Sequence, residues 1–285
     1  MRLLLLASGS SGNVAYLEAG PAGAPTRLLI DAGLPPAEIE ARLERVPSSS
    51  SPLTLSQIDA ALITHDHRDH AGYAAALKRP LWATSGTRRV RRLEAELVRA
   101  GARFQIGAFA IEPVLLPHDA DETVGYVLEA DGARVGILTD CGHDAPEVAR
   151  AYAGCRVLAL EANHDRELLR LGPYPPSLKR RVSGPRGHLS NEQSAQLLEQ
   201  MCALAKSPEL VIAAHLSRPN NRPLLARRAL ERALGFSGQV IVASQAGGSP
   251  LIEVSREGVR IVPQRRQQLA FDFSPSEVRL QGAST

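Results

Sequence analysis

The stretch that most constrains this chain is Ala60-Ala61-Leu62-Ile63-Thr64-His65-Asp66-His67-Arg68-Asp69-His70. An apolar, strand-forming run empties into three histidines and two aspartates. Alternate residues of an extended segment project to one side, so His65 and His67 share a face. Asp69 and His70 adjoin, and need a turn or a helix start to face a second point nearby. Imidazole nitrogens and carboxylate oxygens at this density suit two zinc or manganese ions a few ångströms apart. A charged loop after a strand is the plain alternative, and it leaves unexplained why ligand-type residues fill nearly every position.

Such a site needs a scaffold, and 285 residues are enough for a substantial core. With 44% hydrophobic and 22% charged residues, the balance is that of a soluble globular protein. Aromatics are only 4%, so Leu, Val, Ile and Ala must build the interior. A net charge of +3 is too small to argue for nucleic acid by itself. Three cysteines without a CxxC pair fit a reducing compartment and argue against a disulfide scaffold. The opening Met1 to Ala7 gives way to Ser8-Gly9-Ser10-Ser11-Gly12 too early for a signal peptide, and reads as a buried strand. No segment approaches membrane-spanning length, so a cytoplasmic protein without a membrane partner is expected.

Along the chain, Arg2 to Ala7, Val14 to Glu18 and Arg27 to Asp31 read as an antiparallel strand meander. The turn Ser8 to Asn13 either presents backbone amides to an anion or is a plain hairpin; Ser10 and Asn13 are its candidate substrate contacts. Asp31 either caps a helix over Pro36 to Val46 or orients a histidine ligand from behind. Ser48 to Ser51 is a polar insert. Helices are expected over Gly72 to Lys78, Gly86 to Ala100, Asn191 to Lys206 and Arg222 to Leu234, and strands over Leu81 to Thr84, Gln239 to Ala243 and Leu251 to Val254. The arginines of Gly86 to Ala100 read by default as a solvated helix face. Four further apolar strands end in polar residues: His118-Asp119, Asp140-Cys141, Glu161-Ala162-Asn163-His164, and His215. The same pattern at five strand ends, His65 included, is what a metal site at one edge of a stacked sheet produces.

Chemistry of this kind needs three imidazoles on one ion and a mixed His/Asp set on the other. The sequence supplies His65, His67 and His118 for the first, Asp69, His70 and His215 for the second, and Asp140 between them. Two cations so held would polarise a substrate and make hydroxide available near neutral pH.

His65-Asp66-His67-Arg68-Asp69-His70 resembles the HxHxDH signature of the metallo-β-lactamase fold, with Asp31, His118, Asp140 and His215 matching its other motifs in order. The resemblance covers about the first 255 residues and implies an α/β architecture, a four-layer αβ/βα sandwich of two mixed sheets flanked by helices. It places a domain over 1–262 and a tail over 263–285. Ser8 to Asn13, Glu161 to Asp165, Tyr174 to Lys179, Gly187 to Asn191 and His215 to Asn221 are similar to the YycJ/WalJ-type subfamily, related to the nuclease branch that holds RNase Z and RNase J. The long insertion domain of RNase J is absent.

The fold also hosts thioesterases, lactonases and lactamases, so the reaction must be argued from the site. Lys179, Arg180, Arg181 and Arg186 near His188 favour an anionic strand, and thus a phosphodiesterase or exonuclease on nucleic acid, DNA above RNA. The subfamily resemblance implies digestion from the 5′ end. His188 is the candidate proton donor, His164 a second; Glu161 either holds a histidine or is an inert buried carboxylate. Asp69 stands among the catalytic candidates as well as the ligands. Asn191 is a helix cap, and Asn220 and Asn221 either contact substrate or shape a turn. The alternatives are a small-molecule hydrolase for a thioester, lactone or cyclic phosphodiester, and a metal-binding scaffold without turnover. In the tail, Gln268 to Phe273 resembles the short peptides that dock on the bacterial sliding clamp, with a final packed strand as the competing reading.

Overall fold

The computed structural model describes residues 1–47 and 52–262. The insert at Ser48 to Ser51 and the clamp-like peptide at Gln268 to Phe273 lie outside the described residues. In chain order the strands are β1 Arg2–Ala7, β2 Val14–Ala19, β3 Thr26–Ile30, β4 Ala60–Leu62, β5 Leu81–Thr84, β6 Glu96–Val98, β7 Phe104–Ile106, β8 Phe109–Leu115, β9 Val124–Ala130, β10 Ala133–Leu138, β11 Val157–Glu161, β12 Leu210–Ala214, β13 Gln239–Val242, β14 Leu251–Val254 and β15 Val259–Val262. The helices are α1 Pro36–Leu43, α2 Arg68–Ala71, α3 Ser85–Arg91, α4 Pro146–Tyr152, α5 Arg166–Leu171, α6 Pro176–Val182, α7 Asn191–Leu204 and α8 Pro223–Glu231.

Two mixed sheets result, in the orders β15-β14-β1-β2-β3-β4-β5-β6 and β13-β12-β11-β10-β9-β8-β7. Period-two side-chain alternation explains the layering. In β1, Leu3 and Leu5 enter the core between the sheets, while Leu4 and Leu6 enter a second core beneath α1. In β11, Val157 and Ala159 face the central core, and Leu158 and Leu160 face a third, shared with α4, α7 and α8. Three apolar layers between four layers of structure make the expected αβ/βα sandwich. Each buried leucine contributes about 1.5–3 kcal/mol.

The topology also gathers the polar strand ends. Strands β3 and β4 are parallel, as are β10, β11 and β12, and β8 joins β10 through the antiparallel β9. The residues that follow β3, β4, β8, β10 and β12 therefore emerge at one edge. Asp31, Asp140 and His215 leave their strands with φ of 65°, 62° and 56°. Left-handed backbone at non-glycine residues costs on the order of 1–3 kcal/mol each and clusters at functional sites. Gly33 serves the same edge by close approach: a Cβ there would lie 1.8 Å from the carbonyl oxygen of Asp69.

Several local expectations need correction. The helix expected over Gly86 to Ala100 stops at Arg91, where Arg92 turns left-handed, and Glu96–Val98 becomes an edge strand beside β5. Gly72 to Lys78 forms a 3-10 turn over Ala74–Leu77, because the helix begins earlier, inside the histidine cluster. The helix after His188 is capped by Ser190, which accepts from the Gln193 amide, and Asn191 is its first residue. α1 follows Pro35 without a side-chain cap, so Asp31 is no cap.

Candidate metal centre

His65, His67 and His118 converge with their ligand atoms within 4.8 Å of one another. Nδ1 of buried His65 sits 3.0 Å from the Thr64 hydroxyl, and its Nε2 has no partner among the described residues. His118 donates from Nδ1 to the Gly187 carbonyl at 2.9 Å, which turns Nε2 inward, 3.2 Å from Nδ1 of His67. Burial pushes all three imidazoles below their ordinary pKa, so they are neutral, the form that binds a cation.

Asp69, His70 and His215 form the second group, also within 4.8 Å. His70 donates from Nδ1 to Asp31 at 2.7 Å; Asp31 also accepts from the Thr64 amide and hydroxyl. Asp31 thus holds the His70 ring by its Nδ1, the contact that an orienting role would need. His215 donates from Nδ1 to Glu161 at 3.1 Å, and the Ser8 hydroxyl accepts its backbone amide at 2.7 Å. Burial pushes both rings down, but nearby carboxylates outweigh it: His70 ends well above its usual value and His215 at about 10. At Nε2 of His70 two influences oppose. Asp140 lies 3.1 Å away and favours a proton there, while the Asn13 amide, fixed by Gly9, donates to the same nitrogen at 2.9 Å.

Asp140 stands between the groups. One carboxylate oxygen is 3.7 Å from Nε2 of His118 and 3.4 Å from Nδ1 of His215, and the other faces His70. Burial would raise its pKa, but His215 and His70 hold it well below the carboxylate range. Among the described residues, Nε2 of His65, Nε2 of His215 and Oδ2 of Asp140 are buried without hydrogen-bond partners. Orphaned buried donors and acceptors cost about 1–3 kcal/mol each. Three in one hollow fit divalent cations that would complete them.

Beside the cluster, Glu161 accepts from Nδ1 of His188 at 2.8 Å and, on its other oxygen, from the Cys141 and Leu189 amides. Its pKa is drawn down to about 2: burial opposes ionisation, but His188 and His215 overcome it. Glu161 is therefore a buried carboxylate with both oxygens committed to hydrogen bonds. His188 packs between His118 and His215, at ring separations of 5.1 and 5.2 Å.

Other candidates fall differently. His164 belongs to neither ligand group, and burial lowers it to about 4, so near neutral pH it is a neutral imidazole and not a cationic acid. Asn220 and Asn221 are 0% and 3% exposed. Asn220 donates to Ser217, and Asn221 exchanges bonds with Asn191 and donates to the Ala162 carbonyl, so both shape the turn. Asn13 is likewise buried against His70, whereas Ser10 is exposed. Lys179 bonds the Arg170 carbonyl and Arg186 the His118 carbonyl, and neither has an ion-pair partner among the described residues. Sequence reasoning missed Thr64, which links Asp31 to His65, and Ser8, which fixes His215; only adjacency to a motif could have flagged the first. Asp119, read in the sequence only as a polar strand end beside His118, has its carboxylate paired with Arg181 of α6.

Fold and cluster together define a metallo-β-lactamase-type hydrolase, a fold built to hold divalent metal. The chain belongs to that superfamily: the Beta-lactamase superfamily domain matches residues 26–215. It is similar to the exodeoxyribonuclease YycJ of Bacillus anthracis, 28% identical over 246 residues that cover 82% of this chain and 89% of the relative. It is 31% identical over 271 residues to the exodeoxyribonuclease WalJ of Streptococcus pneumoniae, covering 88% and 97%. Among solved structures, the metallo-β-lactamase-fold protein YhfI of Bacillus subtilis superposes with a TM-score of 0.65 at 13% identity, covering 86% of this chain and 96% of that one.

Proposed function

We propose that this hydrolase is a two-metal phosphodiesterase that digests nucleic acid as an exonuclease, with DNA preferred over RNA. The observation that carries the reading is Asp140, placed against ligand groups on both sides. The exodeoxyribonuclease names of the relatives support the choice of DNA. Zinc or manganese bound there would supply Lewis acidity and lower the pKa of a coordinated water. The protein's own part is to hold seven ligand side chains at fixed angles, to keep Asp140 among them ionised, and to manage one proton. Glu161 accepts from Nδ1 of His188, so once that ring is protonated its Nε2 proton can pass to the leaving ester oxygen, and the neutral ring left behind keeps its Nδ1–H on Glu161 and stays oriented. Lys179, Arg180 and Arg186 carry no ion pair among the described residues and would hold the anionic strand beside His118. Ser10 is a further candidate contact. A cytoplasmic location, where such DNA is found, belongs to the same reading; among the described residues no helix is long and apolar enough to cross a membrane.

The test is a screen of manganese- and zinc-loaded protein on end-labelled DNA and RNA, bis-nitrophenyl phosphate and a thioester panel. Progressive shortening of DNA, abolished by Asp140→Ala together with metal binding, is expected. Thioester or lactone turnover without phosphodiester cleavage would replace this reading by that of a small-molecule hydrolase.

A further inference from the structure

The five ligand histidines are not held alike. His65, His70, His118 and His215 each have Nδ1 beside an oxygen, from Thr64, Asp31, Gly187 and Glu161, and so present Nε2 to the cluster. His67 is reversed: its Nδ1 faces Nε2 of His118 at 3.2 Å, which leaves Nε2 pointing outward. It is also the most exposed of the five, with 27% of its side chain accessible. The acid nearest that outward nitrogen is Asp119, whose Oδ1 lies 3.7 Å away. That is about half an ångström beyond a hydrogen bond.

Asp119 Oδ1 is itself buried and has no hydrogen-bond partner among the described residues. Its other neighbour, Nε2 of His118 at 3.4 Å, cannot donate to it while the His118 proton sits on Nδ1 toward Gly187. The remaining donor is the Nε2–H of His67. The second carboxylate oxygen of Asp119 is taken by Arg181, which lies on α6, the helix that also carries Lys179 and Arg180.

We infer that Asp119 is the positioning carboxylate for His67, and that Arg181 fixes Asp119 for that task. The pair would do for His67 what Asp31 does for His70: set which nitrogen carries the proton and hold the ring against rotation. Such outer partners are typically worth 10–100-fold in metal affinity. The arrangement also ties α6 mechanically to the first ligand group, since Arg181 reaches across 62 residues of sequence to do so.

This rests on the two-metal reading, and the test separates the two. Zinc is titrated into metal-free full-length protein, wild type and variants, with a competing chelator; stoichiometry, affinity and the unfolding temperature with and without zinc are recorded. Wild type is expected to bind two ions; one or none would sink the two-metal reading itself. Asp119→Ala is expected to weaken one of the two by 10–100-fold while the metal-free unfolding temperature stays unchanged. Asp119→Asn, which keeps an acceptor for His67, should recover part of the loss, and Arg181→Gln should lose less than tenfold. Two ions bound as tightly by Asp119→Ala as by wild type, or both weakened equally, would overturn the role given to Asp119.

Discussion

His65 and His118 rest on a threonine hydroxyl and a backbone carbonyl, whereas His70 and His215 donate to the buried carboxylates Asp31 and Glu161. The first group is consequently neutral in the metal-free chain and ready to bind a cation. In the second, carboxylates keep His215 protonated up to about pH 10, so a cation arriving there must displace a proton. On the two-metal reading, the same fold edge would carry one half open for metal and one that exchanges protons for metal. The difference follows from the carboxylates around each ring, Asp140 foremost and then Asp31 and Asp69 for His70, Asp69 and Glu161 for His215, and not from the rings.

The sharpest way to break the comparison is Glu161→Ala, because Glu161 serves both His215 and His188. Loss of the second ion's affinity by 10–100-fold should add to a proton-transfer loss of about 10²–10⁴ in kcat. Metal titration with steady-state kinetics reads both; an effect on kcat alone would detach Glu161 from His215. Next in size, His188→Ala should lower kcat by about 10²–10⁴ with metal content intact, and normal kinetics would remove it from the reaction. Asp31→Ala should weaken only the second group, by 10–100-fold, since its carboxylate reaches His70 directly and His65 only through Thr64. Equal weakening of both ions would show that the halves are one unit.

Counted per proton and per pH unit, the smallest effect is in pH. Because the metal-free His215 is raised to about 10, its protonated form stabilises the fold fully below its unfolded value near 6.5, and that contribution is lost as pH rises through 10. Zinc competes with the protons on His215 and His70, so affinity at the second group should climb by about tenfold per pH unit for each proton displaced, below about pH 10. The first group should be flat over the same range. Calorimetry in buffers of different ionisation enthalpy measures the proton released per ion; none released at the second group would contradict the assignment.

Much of this was legible in the sequence, for a physical reason. Parallel strands must discharge at one edge, so ligand-type residues after apolar runs could be grouped before any coordinates, and His65, Asp140 and His215 meet as that rule requires. What stayed hidden depends on contacts that no local pattern encodes. Glu96–Val98 has three residues and no glycine or proline before it, so nothing distinguishes it from the helix it follows. Asn220 and Asn221 look like surface residues by type, yet their amides are spent on each other's turn and on Asn191 and Ala162. Asp119 and Arg181 are too far apart in the chain for pairing to be read. For Asp31, the sequence does not reveal that its carboxylate meets His70 and Thr64 and leaves α1 uncapped.

The central claim is a pair of cations on either side of Asp140. Anomalous scattering from a crystal of the zinc-loaded protein tests it most directly. Two peaks are predicted, one against His65, His67 and His118 and one against Asp69, His70 and His215, with the Asp140 carboxylate between them. A single peak, or a second one remote from Asp140, would contradict it.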